Sequence, residues 1–99
     1  MPFIYGVLKE EYERLKEIRQ DYENKLQQLP RGTLVKKRIG GHDYNYLAYR
    51  SGGKVVTDYI KSSCLDETSQ QLERRKKIEE ALAGVKIDMG IIEKVVKDE

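Results

Sequence analysis

Two pairs of adjacent glycines, Gly40-Gly41 and Gly52-Gly53, constrain this chain more than anything else in it, because each stands between runs rich in β-branched and aromatic residues. A short glycine-containing loop between two such runs is the strongest local signal for a β-hairpin. The segment 33–61 is therefore expected to form a three-stranded antiparallel β-meander, with strands over 33–39, 43–50 and 54–60. Alternation along the middle strand puts Tyr44, Tyr46 and Ala48 on one face and Asn45, Leu47 and Tyr49 on the other. A three-stranded sheet needs only one face covered, so the second tyrosine set is either under another element or exposed.

A long helix is expected on each side of the meander. Leu8, Tyr12, Leu15, Arg19, Tyr22, Leu26 and Leu29 follow an alternating four-three spacing with charged and amide residues between them, the pattern of an amphipathic helix over 8–29. Arg19 interrupts the stripe, and Ile18 beside it can turn inward. Pro30 closes the helix, since the residue before a proline is pushed out of the helical region. Beyond the meander, Ser63 with Asp66 has the form of a capping box, and a second long helix is expected over 66–83 with Leu72, Ile78 and Leu82 inside and Gly84 as its stop. Ile91, Ile92, Val95 and Val96 then predict a short helical tail over 88–97, which Gly90 weakens. The fold class is α+β, in one domain over 1–99, with the two long helices paired as a hairpin or matched against those of a second copy in a homodimer.

Charge is unevenly placed. Arg31, Lys36, Lys37, Arg38, Arg50, Lys54 and Lys61 meet only Asp43 and Asp58 within 31–61, giving that stretch +5 while the remainder carries −3. A small sheet carrying arginine, lysine and tyrosine can follow a phosphate backbone or enter a major groove, and its rings can stack on unpaired bases. DNA or RNA is thus one expected partner. Arg31, Lys36, Lys37, Arg38, Arg50 and Lys54 would contact phosphate, and Tyr44, Tyr46 and Tyr49 bases or grooves. A bland account also exists, because basic residues on an edge strand prevent edge-to-edge aggregation and tyrosines pack across strands. The basic run Arg74 to Lys77 points in four directions about 100° apart on a helix and is expected to be solvated beside Glu73, Glu79 and Glu80.

Catalysis is not expected. His42 is the single histidine and Cys64 the single cysteine, so no metal-ligand cluster can be built from them, and no cofactor is implied. The glycine pairs lack the spacing of a phosphate loop. Met1 to Val7 is too short to cross a bilayer and lacks the form of a secretory signal, so a cytoplasmic protein without a membrane span is expected. Among non-enzymatic alternatives, a partner protein could dock on the helical stripe Leu8, Tyr12, Leu15, Tyr22 and Leu26.

Leu29-Pro30-Arg31-Gly32-Thr33-Leu34, Tyr44 to Arg50, Gly52 to Val55, Tyr59 to Lys61 and Leu72 to Ile78 together resemble a group of small bacterial and archaeal proteins without an assigned activity. In that group a Leu-Pro-basic-Gly-Ser/Thr start leads into a tyrosine-rich meander and a charged helix. The resemblance spans about residues 15–82. It implies an association with mobile elements or defence loci, some near nucleotidyltransferase-type toxins. The meander is also similar in shape to the arm-binding domains of phage and transposon integrases. Neither similarity implies a catalytic residue.

Overall fold

The computed structural model describes residues 3–97. The order of elements is helix α1 (Phe3–Gln27), strands β1 (Thr33–Ile39), β2 (His42–Ser51) and β3 (Lys54–Ile60), a 3-10 turn (Ser62–Cys64), and helix α2 (Leu65–Lys97). The α+β architecture expected from the sequence is the observed one. No described helix is long and apolar enough to cross a membrane. By contacts the chain divides into two compact units, one built from α1 with α2 from Lys77 onward, the other from Leu29–Lys76.

In the second unit the sheet has the order β1-β2-β3, both pairs antiparallel. Each hairpin closes through its glycine pair alone: Ile39 pairs with His42 and Ser51 with Lys54, with φ of 60° and 84° at Gly40 and Gly41 and 58° and 78° at Gly52 and Gly53. Two consecutive positive φ values match the right-handed twist of the strands, and only residues without a Cβ adopt them at little cost. His42 is thereby the first residue of β2 and not part of the turn, so β2 is longer by one residue at each end than the predicted strand.

The first helix stops short of Pro30. Its last turn tightens through a bond from the Gln28 N–H to the Lys25 carbonyl at 3.1 Å. The Leu29 carbonyl is accounted for by Arg75, whose Nη1 donates to it at 3.1 Å. Arg75 is therefore a half-buried anchor within its unit and not one of four equivalent solvated charges. Entry into α2 also differs from the predicted capping box. The Cys64 N–H donates to the Lys61 carbonyl at 2.9 Å in the 3-10 turn, while the Ser63 hydroxyl lies against Cys64 Sγ at 3.9 Å. Asp66 and Glu67 occupy the first turn of α2, where carboxylates are favoured by the helix dipole.

The second helix runs through Gly84 and Gly90 without a break, so the predicted stop and separate tail are replaced by one helix. A glycine ends a helix by taking a left-handed conformation, and neither residue has a positive φ. The cost of a glycine in mid-helix, about 1 kcal/mol, is outweighed by what lies on either side of it. Leu82, Met89 and Ile92 are all buried. Leu15 of α1, Met89 and Ile92 form the core of the first unit, with Leu8, Tyr12, Ile18, Val85 and Val96 packed against it. The helix that pairs with α1 is thus the C-terminal part of α2, and Ile18 turns inward as its position beside Arg19 suggests. Tyr12 Oη donates to Glu93 Oε1 at 2.6 Å along the same contact.

Candidate nucleic-acid interface

Register decides which side chains share a face of the sheet. Because each hairpin loop has two residues, Tyr46 stands opposite Val35 on β1 and Tyr59 on β3, and Leu47 opposite Leu34 and Asp58. Directly opposed residues project to the same side. One face therefore carries Leu34, Lys36 and Arg38 from β1, Asp43, Asn45, Leu47 and Tyr49 from β2, and Val56, Asp58 and Ile60 from β3. Leu47 is buried there and Leu34, Val56 and Ile60 are half-buried, so this is the covered face.

The other face is open, and its rings touch one another. Tyr59 lies edge-to-face with Tyr46 at 5.9 Å and with Tyr44 at 6.3 Å, and His42 meets Tyr44 at 6.5 Å. Such tilted arrangements match the positive ring edge to the negative ring face. Lys37 Nζ stands 5.0 Å over the centre of the Tyr46 ring, a cation–π contact. Tyr59 keeps 55% of its surface in solvent, with Ile39 at 53% and Val55 at 64% beside it. Arg50 is exposed on the same face, opposite Val55.

The predicted site residues are thus divided. Lys37, Tyr44, Tyr46 and Arg50 come together on the open face. Lys36, Arg38 and Tyr49 lie on the covered side, and Lys54 at the β2–β3 turn shares their alternation. Arg38 Nη1 is 4.0 Å from Asp43 Oδ1. The Tyr49 hydroxyl donates to Asp58 Oδ2 at 2.8 Å. That bond raises the Tyr49 hydroxyl pKa above the ordinary tyrosine range; desolvation and the Asp58 charge act in the same direction and Arg31 opposes them. Arg31 braces the loop before β1: its guanidinium lies 5.5 Å over the Tyr49 ring while Nη2 donates to the Arg50 carbonyl at 2.6 Å. Tyr49 and Arg31 therefore hold the sheet to its preceding loop.

Gly32 makes that brace possible. Its φ is +120°, and a Cβ there would lie 2.3 Å from the Ala48 carbonyl oxygen. The loop approaches the backbone of β2 so closely that no side chain fits. Tyr59 is the residue sequence reasoning missed, although counting back from the Gly52-Gly53 turn places it opposite Tyr46. Among the described residues no group of three or more His, Cys, Asp or Glu side chains is placed to hold a metal ion.

A helix pair and a meander with one tyrosine-lined open face define a class of small α+β protein. The chain belongs to the family described as a domain of unknown function, DUF6788, whose model matches residues 8–70. The match covers most of α1, the whole sheet with Gly32, and the start of α2. Neither a curated protein nor a solved structure matches the chain. Membership agrees with the resemblance of the meander signature to a group without an assigned activity.

Proposed function

We propose that this is a non-enzymatic nucleic-acid-binding protein acting through its basic, tyrosine-rich meander, as a regulatory component of a mobile-element or toxin–antitoxin/defence locus in the cytoplasm. The observation that carries the reading is the open sheet face, where Tyr44, Tyr59 and Tyr46 lie in contact with Lys37 above them and Arg50 beside them. Aromatic rings interleaved with cations on an uncovered surface suit a polyanion that also offers flat bases. Lys36, Arg38 and Lys54 add to the positive field from the sheet margins. The locus assignment rests on the resemblance of the meander signature alone.

Fluorescence anisotropy with labelled duplex and single-stranded DNA at two salt concentrations tests the reading. Binding should weaken steeply as salt rises, and Lys36, Lys37 and Arg38 replaced together by alanine should lose most of it. Absence of binding at low salt would refute it.

A second reading, a protein-interaction module or homodimer, has its own support. The stripe Leu8, Tyr12 and Leu15 is taken up inside the helix pair, but Ile87, Ile91 and Val95 recur every four residues on α2 and stay exposed. Sedimentation of the wild type against Ile91→Asp tests it: a dimer should dissociate in the variant, and a wild-type monomer that captures no partner protein would refute it.

A further inference from the structure

We infer that the open sheet face is a platform for unpaired bases, so that the nucleic acid this chain takes is single-stranded, with Tyr59 and Tyr46 as the principal stacking residues and Tyr44 beside them. The inference deepens the reading above and rests on it. It adds a residue, Tyr59, and a substrate class.

In a duplex the faces of the bases are covered by their neighbours, and a protein ring reaches one only after unstacking it. A single strand presents those faces freely, and stacking on an aromatic side chain raises affinity roughly five- to a hundredfold per base whatever the sequence. The rings are placed for this use. Tyr46 and Tyr59 are directly opposed on neighbouring strands, and Tyr44 follows two residues along β2 on the same side. In other small sheets with one open face, aromatic residues on adjacent strands stack two or three successive bases.

Charge selects the same occupant. The open face holds Lys37, His42 and Arg50, and every strand carboxylate, Asp43 and Asp58, projects from the opposite side. A second copy laid face to face would bring like charges together, whereas a polyanion meets only favourable ones. With Lys37 and Arg50 as the phosphate partners on this face, the logarithm of affinity should fall with the logarithm of salt with a slope of about −1.4 from these two alone, made steeper by Lys36, Arg38 and Lys54 at the sheet margins. Lys37 rests over the Tyr46 ring on a flexible stem, so a base arriving there turns the ammonium outward to the phosphate that follows.

The test compares the full chain on labelled oligothymidine, oligouridine and a mixed-sequence duplex of equal length, at low and moderate salt. Tyr46→Leu with Tyr59→Leu removes the rings and keeps apolar volume; Tyr49→Phe on the covered face is the control. The chain has no tryptophan, so quenching of tyrosine emission reports stacking in the wild type without any variant. Single strands should bind at least tenfold tighter than duplex and quench the emission. The double variant should lose roughly 25-fold or more, while Tyr49→Phe binds as wild type. Oligothymidine and oligouridine distinguish a DNA from an RNA ligand, and preference for either over duplex supports the platform. Duplex binding equal to or tighter than single-strand binding, or single-strand binding without quenching, overturns the platform and leaves nucleic-acid binding standing. Failure to bind any of the three at low salt overturns both, as would self-association through this face that the double variant abolishes.

Discussion

Replacing Gly32 by alanine should destabilise the sheet far more than the same change in a hairpin turn. At Gly32 the new methyl would lie 2.3 Å from the Ala48 carbonyl oxygen and 3.0 Å from Tyr49 Cβ, with φ held at +120°. The backbone strain alone is about 1–3 kcal/mol. Relieving the clash means drawing the loop away from β2, which also lengthens the bond from Arg31 to the Arg50 carbonyl, a charge-assisted contact of the kind that contributes about 1.5 kcal/mol or more. A total of about 3 kcal/mol follows. Gly52 has φ of +58° and nothing within 4 Å of its would-be Cβ, so Gly52→Ala carries only the left-handed penalty of about 1–2 kcal/mol. At roughly 4–8 °C per kcal/mol for a chain of this size, Gly32→Ala should lower Tm by about 12–24 °C and Gly52→Ala by about 4–16 °C. Thermal unfolding followed by near-ultraviolet circular dichroism of the tyrosines reads both variants. A Gly32→Ala protein no less stable than Gly52→Ala would refute the close approach of the loop to β2.

Gly84→Ala and Gly90→Ala should each stabilise the chain by about 0.5–1 kcal/mol, since both sit in mid-helix with nothing within 4 Å of an added Cβ; thermal unfolding checks this. Leu15→Ala should cost about 2–5 kcal/mol by emptying the core of the helix pair, against about 0.5 kcal/mol for Val95→Ala on the exposed side, measured by urea denaturation. Tyr12 and Tyr49 donate to Glu93 and Asp58, bonds that raise both hydroxyls above the ordinary value near 10. The neutral hydroxyl is the bonded form, so the stabilisation is whole below that ordinary value and disappears as pH rises through the raised one. In an alkaline titration by tyrosinate absorbance, Tyr12→Phe or Tyr49→Phe should each delete one step that lies above the ordinary tyrosine value.

The meander was legible because its signals are local. A glycine pair between β-branched runs specifies a two-residue turn, and the turn fixes the register without help from the rest of the chain. What the sequence did not disclose was which face is covered, because β2 carries tyrosines on both sides and only tertiary packing buries Leu47. For that reason the sequence does not distinguish Lys36, Arg38 and Tyr49 from Lys37, Tyr44 and Tyr46, whereas the structure puts them on opposite sides of the sheet. Helix α2 posed a different difficulty. Gly84 reads as a stop by the rule for helix ends, yet Ile78, Leu82, Val85, Met89, Ile92 and Val96 keep an unbroken four-three spacing across it. That longer-range period, and not the local glycine, reports what the helix does. Arg31 and Arg75 look like surface charge in the sequence because backbone carbonyls, to which both donate, leave no mark there.

The two-residue length of the Gly52-Gly53 loop has a consequence for how such chains can diverge. Asp58 and Tyr59 are neighbours that project to opposite sides of the sheet, one toward Tyr49 and the other toward Tyr46. Inserting or deleting a single residue in the loop could exchange their sides, lifting the carboxylate into the tyrosine row and pushing the ring toward Leu47. Point substitutions along β3 change one side chain at a time, whereas a change of loop length rewrites both surfaces together. Family members should therefore vary in residue identity on this hairpin while holding its length constant.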